Sequence, residues 1–158
     1  MAETRKATRR ATSKAKTEGA FTDEELAAMK EHAAEVKASR GRSGKAGREE
    51  EAQAMLDKIA DMDHDDRVIA ERVHEIVTST APDLAPKLWY GMPAYAKDGK
   101  TICFYKPKSK FKVRYSTFGF QPDARLDEAE MWPVAFALTG LTPASEERIA
   151  ELVRKAAG

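Results

Sequence analysis

Apolar residues fall into three regimes along the chain. Between Phe21 and Val77 they recur at spacings of three and four, the signature of helices with one buried face. Between Lys87 and Phe118 they alternate or cluster with aromatic and β-branched character, as in strands. From Ile149 to Ala156 the helical spacing returns. Ahead of all three, residues 1–20 contain no Leu, Ile, Val or aromatic side chain. Alanines alone bury too little area to offset ordering entropy, so this stretch is predicted to be a disordered tail.

The first helix has explicit start signals. Thr22 is an N-cap with Glu25 three residues on, a capping box, and Phe21 and Leu26 take the N′ and N4 positions of a hydrophobic staple. Leu26, Met29, Ala33 and Val36 then form one narrow stripe, and the helix is predicted to run to about Ser39. The three glycines of residues 39–47 predict a flexible linker. A second helix is expected over Arg48–Asp61, with Ala52, Met55, Leu56 and Ile59 on one face. A third is expected over Asp66–Ser79, with Ile69, Val73, Ile76 and Val77 as its stripe, closed off by Pro82 and Pro86. Thr142 caps the last helix with Pro143 at N1, and Ile149, Leu152, Val153 and Ala156 form its buried face.

Strands are predicted at Leu88–Tyr90, Tyr95–Ala96, Thr101–Lys106, Lys110–Phe118 and Val134–Leu138, with one helical turn around Leu126–Met131. Asp98-Gly99 marks a tight hairpin, and a second turn falls around Pro107–Ser109. Lys110–Thr117 alternates strictly, placing Phe111, Val113, Tyr115 and Thr117 on one face and Lys110, Lys112, Arg114 and Ser116 on the other. Helices first, then a meander, then a closing helix describe an α+β fold: a two-layer sandwich, mainly antiparallel, with helices packed on one sheet face. The chain divides on this reading into the basic tail 1–20, a helical extension 21–61 and an α+β domain 62–158.

Composition narrows the class of protein. A chain of 158 residues suits one core of a few helices and a small sheet. No stretch approaches the roughly 18 apolar residues of a spanning helix, and the N-terminus has no apolar signal core. One cysteine excludes an intramolecular disulfide and fits a reducing cytoplasm. The 27 basic and 26 acidic residues nearly cancel, but they are segregated. Residues 1–20 carry six basic against two acidic groups, residues 61–90 three against seven, and residues 91–125 eight against two. Such blocks set up local fields on a molecule that is neutral as a whole.

Several residue constellations bear on chemistry. Asp61–Asp66 starts like a calcium loop, but Asp66 and Arg72 stand where that loop needs Gly and Glu, so these carboxylates are expected to cap a helix. Glu71-x-x-His74 is half of a di-iron motif with no second copy, and Glu71 and Glu75 lie opposite their helix's apolar stripe, facing solvent. Cys103 lies in a strand between Ile102 and Phe104 and is expected to be a core thiol. No nucleophile elbow, phosphate loop or dinucleotide glycine pattern occurs, so a non-enzymatic domain is expected. Lys106, Lys108, Lys110, Lys112 and Arg114 recur at every second residue, so Lys108, Lys110, Lys112 and Arg114 form a candidate polyanion or nucleic-acid surface together with the basic tail. Gly91 and Pro93 are expected to bend the chain, leaving Tyr90, Met92 and Tyr95 to line a shallow pocket or to pack as a bulge. The N-terminal helix is a further candidate for contact with a protein partner.

The segment Trp89-Tyr90-Gly91-Met92-Pro93-Ala94-Tyr95, followed by Gly99-Lys100 and an aromatic strand, resembles the YdhG-like family of small domains of unknown function. Phe111–Phe120 and Met131–Leu141, leading into the terminal helix, add to the resemblance, which covers about residues 62–157. The helix at 22–38 and its linker look like the N-terminal extension of one subgroup. The family is similar in fold to frataxin, and some members are described as intracellular iron chaperones. The resemblance therefore implies a monomeric, cytoplasmic domain that binds iron through exposed carboxylates and delivers it to iron–sulfur or haem assembly proteins. It supplies no residue motif for iron; the exposed acidic candidates are Glu71, Glu75, Asp127, Glu128 and Glu130.

Overall fold

A computed structural model describes residues 20–42 and 44–158, so the predicted tail lies almost wholly outside the described residues. Helices α1 (Asp23–Ser39), α2 (Gly44–Ala60) and α3 (His64–Thr80) precede strands β1 (Ala85–Trp89), β2 (Met92–Lys97) and β3 (Lys100–Lys106). A helical turn α4 (Lys108–Phe111), strands β4 (Ser116–Phe120) and β5 (Ala135–Leu138), and helix α5 (Pro143–Ala157) complete the chain. The strands form one antiparallel meander in the order β1-β2-β3-β4-β5. The predicted α+β class and its helix-backed antiparallel sheet are observed.

One sheet face carries the core. Tyr95, Cys103, Tyr105 and Phe118 are fully buried there and pack with Val73 and Val77 of α3 and Val153 of α5. Both helices follow the predicted stripes, and the Thr142 capping box forms with Ser145 as its second member. Helix α2 belongs to this same core: its Met55 and Ile59 are buried in it, so the segment is no detached extension. The linker is also shorter than predicted, because α2 already begins at Gly44 and Gly47 sits buried in its first turns against Arg42.

The hairpins locate the turns. Asp98 and Gly99 both have positive φ between paired Lys97 and Lys100, the two-residue hairpin expected of that sequence. Tyr90 and Gly91 form a second such turn, at φ 53° and 71°, between paired Trp89 and Met92. The Gly-Met-Pro segment is therefore a hairpin start, not a break in the strand. Pro93 fits inside β2 because β3 pairs with β2 only from Ala94 onward, so the missing N–H lies outside that ladder.

The predicted strand Lys110–Phe118 is a correction. Its first half is the turn α4, ended by Lys112 in the left-handed region at φ 51°, and β4 starts only at Ser116. Val113 and Tyr115, expected on a core face, are 44% and 37% exposed. The physical cause is Asp66. Its carboxylate accepts the backbone N–H groups of Lys108 and Ser109 at 3.2 and 3.1 Å, and that capping favours a turn over an extended ladder. The helical turn expected around Leu126–Met131 is likewise irregular chain, in which only Leu126 is buried.

Candidate functional site

Helix α1 begins as predicted, with the Thr22–Glu25 capping box formed in both directions. Its orientation is the surprise. At 100° per residue, Glu24, Ala28, Glu31 and Glu35 fall within about 60° of one another, opposite the apolar stripe. It is this polar face that meets the domain. Ala28 is its one fully buried residue, while Leu26, Met29 and Val36 are 45%, 37% and 41% exposed.

What the polar face meets is the Tyr90–Gly91 hairpin turn. Two successive residues of positive φ leave their N–H groups pointing out of the hairpin, an arrangement that suits an anion. Glu35 fills it: its Oε2 accepts from Tyr90 N at 2.9 Å and its Oε1 from Gly91 N at 2.7 Å. His32 stacks on the Tyr90 ring with centroids 3.9 Å apart, which helps hold a non-glycine residue in the left-handed region. Glu31 lies directly over Gly91, where a Cβ atom would strike its carboxylate. Lys110 Nζ donates to both Glu31 oxygens, at 2.7 and 2.9 Å, and Lys58 Nζ stands 3.6 Å away.

Beside this cluster a cavity of about 330 Å³ opens between α1, α2 and β1. Ala34, Val36, Ala54 and Leu88 give it apolar walls, and Arg42, Glu51, Lys58 and Lys87 give it charges. A second cavity, about 310 Å³, shares Lys58 and Gly91 with the first and continues towards Asp61, Asp63 and Asp66. A more open groove lies between the first turns of α1 and the sheet, lined by Phe21, Met29, Trp89, Met92, Phe104 and Phe111.

The residues singled out from the sequence are dispersed. Tyr90 and Met92 line the open groove, but Tyr95 is fully buried on the core face, its hydroxyl 3.1 Å from His74 Nδ1. Lys108, Lys110, Lys112 and Arg114 do not form a row, because they span a helical turn and not a strand. Lys110 is bound to Glu31, Lys112 to Glu24 at 2.7 Å, and Arg114 lies over the Tyr115 ring. Glu71 and Glu75 face solvent as expected, beside Arg67 and Arg72. Asp127, Glu128 and Glu130 are exposed, and Glu128 lies 3.9 Å from Lys155.

These acidic groups do not converge. Arg72 joins Glu75 to Glu146 at the start of α5, whereas Glu128 meets Lys155 at its end. Nine residues of helix separate those two contacts by about 13 Å. Among the described residues no group of three or more His, Cys, Asp or Glu side chains is placed to hold a metal ion.

Two further groups bear on reactivity. Cys103 is a free, fully buried thiol whose pKa burial pushes up, which keeps it protonated and unreactive. His74 is half-buried; desolvation lowers its pKa below the ordinary value, with Glu75 opposing the shift. The folded state therefore binds a proton less readily than the unfolded chain. Stability is at its full value above about pH 6.5, the unfolded pKa, and falls as pH drops below it. Denaturant midpoints measured across that range should fall on acidification, and His74→Gln should flatten the part of that fall due to this residue.

Glu31, His32, Glu35, Lys58 and Asp66 were not legible as functional residues. The spacing of Glu31 and Glu35 at i, i+4 is common on solvated helix faces, and only the position of the hairpin gives it meaning. The helix-backed meander with a cavity at its hairpin end defines a small α+β domain. Comparison with known proteins finds no matching family model, no similar curated protein and no similar solved structure. Among the described residues, no helix is long and apolar enough to cross a membrane.

Proposed function

We propose that the chain is a small, non-enzymatic binding domain of the YdhG-like kind, and that its ligand occupies the cavity between α1, α2 and β1. The observation that carries this reading is the cavity itself. Its volume of about 330 Å³ falls at the small end of the range for ligand pockets, and its walls combine Val36, Leu88 and several alanines with charged side chains of both signs. Such a lining suits a small molecule with an apolar body and a polar end. The titratable groups of the lining are engaged in structure: Glu35 binds the Tyr90–Gly91 turn, Glu31 binds Lys110, and His32 stacks on Tyr90. The free thiol supports a cytoplasmic setting.

Iron delivery, the role implied by the family resemblance, is disfavoured by the spread of its candidate carboxylates: Glu75 shares Arg72 with Glu146 near the start of α5, whereas Glu128 meets Lys155 near its end. One experiment addresses both. A small-molecule panel and ferrous iron are titrated into the labelled protein while backbone amides are followed. Shifts at Ala54, Leu88 and Gly91 are the expected result. No cavity shift with any compound would remove the reading, and selective broadening at Glu71, Glu75, Asp127, Glu128 or Glu130 with iron would transfer it to metal.

A further inference from the structure

We infer that the Tyr90–Gly91 turn, with Lys58 and Lys110, is a binding site for a small dianion, and that α1 occupies it in cis with the carboxylates of Glu35 and Glu31. This inference rests on the cavity reading above and specifies the polar end of its ligand.

The turn presents two adjacent backbone N–H groups, and two ammonium groups stand beside it, so all the local donors favour negative charge. Glu35 binds the turn through both oxygens, as a free carboxylate would, and Glu31 takes the lysines. Side chains four apart on a helix are neighbours, with Cβ atoms about 5–6 Å apart, so the pair presents two carboxylates side by side at the turn. A phosphate would use the same donors with its charge concentrated at one point.

The occupant is held mainly by polar contacts. Helix α1 buries one alanine fully and leaves its apolar stripe exposed, so the polar contacts with the turn and α4 contribute much of what positions it. Hydrophobic burial, the term that normally fixes a helix to a core, is small here. Glu31 and Gly91 also lie where the two cavities approach each other, since Lys58 and Gly91 line both. Movement of the Glu31 side chain would leave the lysines facing a larger space. Lys110 lines the second cavity beside Asp61 and Asp63, Arg42 and Lys87 line the first beside Glu51, and Lys58 lines both, so the basic groups lie on both sides of Gly91.

The test uses the full chain. Succinate and inorganic phosphate are titrated separately, with sodium chloride matched in ionic strength as the control, into the wild type, Glu35→Gln, Glu31→Gln/Glu35→Gln and that double variant carrying Lys58→Gln/Lys110→Gln. The expected result is binding at least about tenfold tighter in the double glutamine variant than in the wild type, because the competing carboxylates are gone. The Tyr90 and Gly91 amides should shift with ligand, and the lysine changes should abolish the gain. Preference for succinate assigns a dicarboxylate, and preference for phosphate a phosphorylated ligand. Unmoved Tyr90 and Gly91 amides in a folded double variant overturn the inference. If other compounds still shift Ala54 and Leu88, the cavity reading survives that failure; if none does, both fall. Should the double variant lose its fold, Glu35→Gln alone carries the same comparison.

Discussion

Asp66→Ala is expected to lower the unfolding free energy by about 3–4 kcal/mol, since each buried hydrogen-bonding group left without a partner costs about 1–3 kcal/mol. Asp66 is 1% exposed and lies in the first turn of α3, yet its carboxylate serves a different part of the chain. It accepts from the backbone of Lys108 and Ser109 and from the hydroxyl of Ser116 at 3.1 Å, and Tyr105 reaches the same oxygen as Ser116 at 3.4 Å. Lys108 N and the Tyr105 hydroxyl keep Ser116 as a second partner, at 3.2 and 3.1 Å. Ser109 N and the donating hydroxyl of Ser116 have no such substitute among these contacts, so the loss falls on the turn α4 and the start of β4. Asp66→Asn should recover part of the stability, because its amide oxygen can accept while its NH₂ faces donors. Urea titration of the two variants measures the loss, and faster hydrogen exchange at Ser109 identifies where it falls. Loss in the alanine variant below about 1 kcal/mol, the worth of one ordinary hydrogen bond, would mean that the network is not structural.

Asp66 also shows why part of the fold escaped the sequence. The D-x-D-x-D-D run marked a helix start, and Asp65 and Asp66 in the first turn complement the dipole. The expected cap does not form, because Asp63 at the N-cap makes no side-chain hydrogen bond. Which of them turned inward depended on a turn 42 residues further on. The same contact is what made Lys110–Phe118 misleading. Its alternation is a true strand pattern locally, and a long-range cap overrode it. Helices α3 and α5 were legible because their faces are wide and fully apolar. The hairpin at Asp98-Gly99 was legible for a different reason, that the turn chemistry is local. Tyr90-Gly91 was not, because tyrosine is an unusual residue at positive φ, and the stacking His32 and bound Glu35 that favour it belong to α1. The candidate site failed for the same reason as the strand: its members come from α1, α2, the hairpin and α4, and no spacing along the chain connects them.

Helix α1 and strand β4 make the contrast quantitative. Phe118→Ala is expected to cost about 3–5 kcal/mol, the range for removing a buried aromatic ring from a core that relaxes only in part. Phe118 is fully buried, opposite Tyr105 on β3 and Phe136 on β5, and its ring meets that of Phe120 edge-on with centroids 5.2 Å apart. Its loss removes contacts on three strands at once and leaves a void beneath α3 and α5. Domains are stable by about 5–15 kcal/mol, so the variant should show a much lower denaturation midpoint and weakened packing of Val73 and Val153. Phe118→Leu keeps most of the volume and should cost less, which separates cavity formation from loss of the aromatic contact. Leu26→Ala, in the apolar stripe of α1, should change stability by no more than about 0.5 kcal/mol because that side chain stays 45% exposed. A large loss at Leu26 would mean that α1 docks through its apolar face, and it would remove the basis for Glu31 and Glu35 as occupants of the hairpin. Equal, small losses at Phe118 and Leu26 would contradict the placement of the core on the helix-facing side of the sheet.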